Sequence, residues 1–153
     1  MTPREKRILR VLELRDQRLK LAVRTLEETR ALERLAASEF IEATQARQSA
    51  ERERRELSNG ALRIRALIDA DEWLRARAAE AERTELRLRQ LRAQVEKART
   101  RVKDAMLKLR QLERLRDRLR AAERQRESRV ERTREDEIAQ RSARNESRRK
   151  GGL

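Results

Sequence analysis

Residues 56–74 read "ELSNGALRIRALIDADEWL" and hold the first glycine and the only tryptophan of a 153-residue chain. Ser58-Asn59-Gly60 makes a poor helix interior, because Ser and Asn compete with the backbone for hydrogen bonds and Gly costs about 1 kcal/mol relative to Ala. The tripeptide reads as a helix end. Asp69 and Glu72 then have the spacing of a capping box, with Ile68 just before the cap and Trp73 four residues after it, placed to close a hydrophobic staple. The two acids also suit the positive end of a new helix. The expectation is a single helical hairpin with a first helix over 2–57, a turn region over 58–69, a second helix over 70–144 and a flexible basic tail over 145–153. One continuous helix with a tolerated glycine is the alternative these residues leave.

The composition on either side agrees with helix. Charged residues make up 46% of the chain, aromatics 1%, and there is one proline, so no conventional globular core can form. Arg, Glu, Leu, Ala, Lys and Gln dominate, and the apolar residues recur with a period near 3.5, which favours a long helix or coiled coil over disorder. The absence of Cys and His excludes thiol nucleophiles, imidazole bases and the common zinc sites. No catalytic, cofactor-binding or metal-binding residue is expected. No apolar run is long enough to span a membrane or serve as a signal peptide. The first 24 residues are Arg-rich, but Glu5, Glu13 and Asp16 argue against a presequence, and a cytoplasmic protein is the expectation.

The first helix has its own start signal in "TPRE", with Thr2 at the N-cap, Pro3 at the first helical position and Glu5 placed to reach back to the Thr2 amide. Leu12, Leu19, Leu26 and Phe40 follow at multiples of seven, interleaved with Ala22, Ala36, Ala43, Ala50 and Leu57, and interrupted at Arg15, Thr29, Glu33, Arg47 and Arg54. A stronger seam runs through Leu88, Leu91, Val95, Ala98, Val102, Ala105, Leu109 and Leu112, with Leu119 beyond Arg116. The fold class is therefore all-α, a long two-helix antiparallel coiled-coil hairpin. The preferred register pairs Leu12 with Leu119, Leu26 with Ala105, Ala36 with Val95, Phe40 with Leu91 and Ala43 with Leu88. A slip of one heptad satisfies the seams nearly as well with a shorter turn, but the capping box favours the longer one. A parallel homodimer would also bury the second seam. Surface pairs Asp16/Lys20, Glu51/Arg55, Glu85/Arg89, Asp104/Lys108 and Glu137/Arg141 have the spacing of helical ion pairs.

The net charge of +14 is uneven: residues 58–84 balance five basic against five acidic side chains, and most of the excess lies in residues 85–153. Such charge permits phosphate contacts, yet no stacking platform, helix-turn-helix or basic leucine-zipper arrangement accompanies it, so a nucleic-acid-binding coil is a weaker reading. Neither arm has the apolar face of a membrane-surface helix. A rod that couples one protein to another asks only for what this sequence supplies, and a generic coiled-coil scaffold, monomeric or dimeric, is the less specific form of that reading.

The opening "ILRVLELRDQRLKLAVRTL", the break "SNG", the aromatic shortly after it and the return arm "VEKARTRVKDAMLKLRQLERLRDR" resemble the stalk proteins of type III secretion systems, the FliJ/YscO family of flagellar and injectisome export apparatus. The resemblance implies a non-catalytic hairpin similar to the coiled coil of the rotary ATPase gamma subunit. Its paired termini would enter the hexameric export ATPase and its other end would contact the membrane export gate. Family members are also linked to the handling of secretion chaperones. Arg7, Arg10, Val11, Leu14, Arg118 and Arg120 are then the candidates for the ATPase end. At the tip, Trp73 matches the family's gate-contacting aromatic, although Arg77 stands where an aliphatic residue is expected. Ile64, Leu67 and Ile68 are the further tip candidates. No cofactor, small molecule or membrane insertion is implied.

Overall fold

The computed structural model describes residues 2–59 and 63–151. Two helices account for nearly all of them, α1 over Pro3–Ser58 and α2 over Ile64–Gly151, packed as a helical hairpin. Gly60, in the predicted break, and residues 152–153 of the predicted tail lie outside the described residues.

The start of α1 is the predicted capping box. The Glu5 amide donates to Thr2 Oγ1 at 3.2 Å and the Thr2 amide donates to Glu5 Oε2 at 3.3 Å, satisfying two amides that the first turn leaves without helical partners. At the other end of α1, Ser58 Oγ donates to the Arg55 carbonyl at 2.8 Å, and the Asn59 amide donates to the Glu56 carbonyl at 3.3 Å. Ser58 thus meets the last turn through its side chain, while the Asn59 bond is a backbone i→i−3 contact that tightens the helix end.

The second start differs from the expectation. Helix α2 begins at Ile64, with the Leu67 amide donating to the Arg63 carbonyl at 3.1 Å, so Asp69 and Glu72 lie within the helix and do not cap it. Ile68 and Trp73 are consequently about 140° apart around one helix and form no staple. Propensity explains how this is tolerated and packing why it happens. An Asp inside a helix costs only about half a kcal/mol relative to Ala. Extending the helix back to Ile64 half-buries Leu67 and Leu74, which continue the α2 seam in steps of seven ahead of Ala81 and Leu88. At its far end α2 remains helical through Arg148, Arg149 and Lys150 to Gly151, beyond the predicted limit at 144. Three cations in the last turn complement the negative end of the helix dipole.

The chain divides into two compact units, one of Asp16–Met106 and one of Met1–Arg15 with Leu107–Leu153. Within Asp16–Met106, Leu26 packs with Val95 and Ala98, with Val102 against them. Ala36 packs with Leu88 and Leu91, with Ala37 and Phe40 against them, so Phe40 is a seam residue. Ala43, Ala50 and Ala81 are also buried.

These partners correct the preferred register. Leu26 meets Ala98 where Ala105 was expected, and Ala36 meets Leu88 where Val95 was expected, a slip of one heptad toward the shorter turn. The earlier start of α2 removes the reason for the longer turn. Polar groups favour the same offset, because it brings Arg54 into an ion pair with Asp71 and places Arg92 3.8 Å from Glu33. Two other interruptions of the α1 seam are met on α1 itself: Arg47 pairs with Glu51 at 3.2 Å, and Thr29 Oγ1 donates to the Thr25 carbonyl at 2.7 Å. On α2, buried Thr84 donates to the Glu80 and Ala81 carbonyls, each at 3.0 Å. Of the expected surface pairs, Asp16–Lys20 forms at 3.1 Å and Glu85–Arg89 at 2.7 Å, while Glu51 turns to Arg47 in preference to Arg55.

In the other unit Leu12 is the one buried apolar residue among those described, and Leu109, Leu112 and Leu119 are half-buried. From Arg124 to Gly151 every residue is exposed.

Candidate functional site

The two groups of candidate residues belong to different units. In the unit containing both chain ends, Arg7, Arg10, Val11 and Leu14 have the i, i+3, i+4, i+7 spacing that gathers them into an arc of about 100° on α1. The buried seam residue Leu12 lies about 100° beyond the near edge of that arc. All four side chains are exposed, Val11 at 39% and Leu14 at 54%. Two apolar side chains flanked by two guanidinium groups form a mixed surface that the seam leaves unused. Arg118 and Arg120 do not share a face, being separated by about 160° around α2.

Arg120 instead lines a groove of about 660 Å³ with Thr2, Glu5, Asp117, Glu123, Arg124 and Glu127. Four carboxylates meet two arginines there, so the groove runs against the basic trend of the arm around it. The Glu123 carboxyl titrates above its ordinary range, chiefly through a hydrogen bond with the Glu5 carboxyl, with desolvation and the negative charges of Glu5 and Glu127 acting in the same direction. Glu5 thus caps α1 through Thr2 and also meets α2 through Glu123. Sequence reading identified the first role from spacing, whereas the second depends on the register.

In the unit of Asp16–Met106, the tip candidates split between two flanks of α2. Ile64 and Ile68, one turn apart, are exposed at 73% and 52% on one side of the half-buried Leu67. Trp73 lies on the other side, with 51% of its surface exposed. One turn further on, the Arg77 guanidinium carbon stands 4.3 Å from the centroid of the Trp73 ring, a cation–π distance.

The register places a second arginine opposite that stack. Eleven residues are close to three helical turns. Counting eleven from Ala36 along α1 and eleven back from Leu88 along α2 reaches Arg47 and Arg77, so two arginines occupy one layer of the seam. Each relieves the like-charge conflict on its own helix, Arg47 through Glu51 and Arg77 through the face of Trp73. A large aromatic at this position therefore has a structural cause that the staple did not supply. Arg77 is the tip residue that sequence reading treated only as a departure from the expected pattern. Its i, i+4 spacing from Trp73 was the available signal.

Among the described residues, no group of His, Cys, Asp or Glu is arranged to hold a metal ion, and no helix is long and apolar enough to cross a membrane. The family described as "Flagellar FliJ protein" matches the chain over residues 5–148, from the capping-box glutamate almost to the end of α2. No curated protein and no solved structure matches the chain significantly.

Proposed function

The chain belongs to the FliJ family, whose members are components of the flagellar and type III export apparatus, and on that premise we propose that it is the non-catalytic central stalk of an export ATPase. In this reading it is cytoplasmic and its paired ends enter the hexameric ATPase. The turn between α1 and α2 reaches the export gate protein, and handling of secretion chaperones is a further task of the same surfaces. The observation that carries the reading is the family match across nearly the whole chain, on a fold of two packed helices. The exposed arc of Arg7, Arg10, Val11 and Leu14 supports the ATPase end, since it combines apolar anchors with cations outside the buried seam. The half-exposed Trp73 supports the gate end.

Within Asp16–Met106 the two seams bury each other in one chain, which supports a monomeric hairpin over a parallel homodimer. Charge reversal at Arg7, Arg10, Arg118 and Arg120 together tests the ATPase assignment. The expected result is unchanged helicity by circular dichroism with loss of ATPase stimulation. Full stimulation by the helical variant would reject the assignment. Binding that falls steeply with salt and is competed by unrelated DNA would instead identify a nucleic-acid-binding coil.

A further inference from the structure

We propose that Trp73 and Arg77 together form a stacked cationic platform for an acidic side chain of the partner, an inference that rests on the gate-docking reading and specifies the chemistry of the surface that docks. Three observations lead to it. The Trp73 ring is half exposed and carries the Arg77 guanidinium on its face at 4.3 Å. Three carboxylates of this region already have partners: Asp71 is held by Arg54, Glu80 by Arg83 at 2.6 Å and Glu51 by Arg47 at 3.2 Å. Arg77 has no hydrogen bond or ion pair with any described residue, and its Nε is buried without a partner.

A guanidinium held flat on an aromatic ring is oriented before binding, so little side-chain freedom is lost when a carboxylate arrives. The stack still leaves its N–H groups without an acceptor. Arg47 in the same layer of the seam is already paired with Glu51, so the uncompensated charge of the layer is that of Arg77. An aliphatic partner surface would desolvate Arg77 without compensation, which is unfavourable. A carboxylate supplies an acceptor to the terminal guanidinium nitrogens, since the buried Nε is closed to a visitor, and Trp73 provides apolar contact beside it.

The test uses the full chain and the cytosolic domain of the cognate export gate protein as the probe, with binding measured by calorimetry and by the fluorescence of the single tryptophan. Arg77→Gln and Arg77→Leu are each expected to lower affinity about tenfold or more, the scale of a lost hydrogen bond to a charged group. Raising salt should weaken binding of the wild-type chain more than that of Arg77→Leu. Circular dichroism is expected to show all variants helical, and Arg77→Lys, which keeps the charge within the same fold, should fall between wild type and Arg77→Gln. If Arg77→Leu binds as well as wild type or better while Trp73→Ala binds weakly, the acidic partner is rejected and gate docking stands. If the wild-type chain does not bind the probe, or if Trp73→Ala and both Arg77 variants bind unchanged, gate docking and the acidic partner fall together.

Discussion

Asp16–Met106 and the unit containing both chain ends are built from the same two helices and similar residues, yet they bury very different amounts. In the first, Leu26, Ala36, Ala43, Ala50, Ala81, Leu88, Leu91, Val95 and Ala98 form a buried seam, while in the second only Leu12 is comparably enclosed among the described residues. Local heptad quality does not explain the contrast. Leu109, Leu112 and Leu119 are as apolar as the residues that are buried, but the partners offered by the first turns of α1 include Arg15 and Glu5. A seam is only as dry as its poorer half. Small alanines on α1 can fit beside the leucines of α2, whereas long charged side chains hold the helices to partial burial. Tight packing thus accumulates in one unit, and the exposed surfaces proposed for the ATPase lie in the other.

The sharpest way to break this contrast is to remove matched leucines. Leu88→Ala should cost about 2–4 kcal/mol, because Leu88 is 4% exposed and packs with Ala36 and Leu91. Leu112→Ala, at a half-buried site, should cost about 1 kcal/mol. Equal losses in thermal unfolding followed by circular dichroism would show that the two units are equally packed in solution.

A smaller effect is expected at the start of α1. Thr2→Ala removes one side of the capping box and should cost about 1 kcal/mol, with the loss confined to amide-exchange protection in the unit it begins. Uniform loss of protection along α1 would mean that the two units open together.

The smallest effect sharpens the comparison through pH. The carboxyl of Glu123 has its pKa raised in the folded chain, first by the hydrogen bond with Glu5, so the folded state holds a proton that the unfolded state has already lost. Stability from this pair therefore rises as pH falls through the folded value, is fully present below the unfolded value and is lost as pH rises. Glu123→Gln should flatten that part of the pH dependence and leave Leu88 and its neighbours undisturbed. An unchanged profile would remove the carboxyl pair as its source.

The all-helical class, the break at Ser58-Asn59, the capping box at Thr2 and Glu5, and the two apolar seams were legible in the sequence because each depends on contacts within a few residues. So was the resemblance that agrees with the family match over residues 5–148. The starting point of α2 and the register were not. Asp69 and Glu72 satisfy the local rule for a helix start as well as a true cap does, and only the burial available to Leu67 and Leu74 across from α1 decides against them. Register is a choice between offsets one heptad apart, which a repeating seam leaves nearly degenerate. Pairings between distant residues, Leu26 with Ala98, Ala36 with Leu88 and Arg54 with Asp71, resolve it. The stack of Arg77 on Trp73 is by contrast a local i, i+4 contact that the sequence spacing already offered, and what only the packed helices add is Arg47 in the layer opposite Arg77.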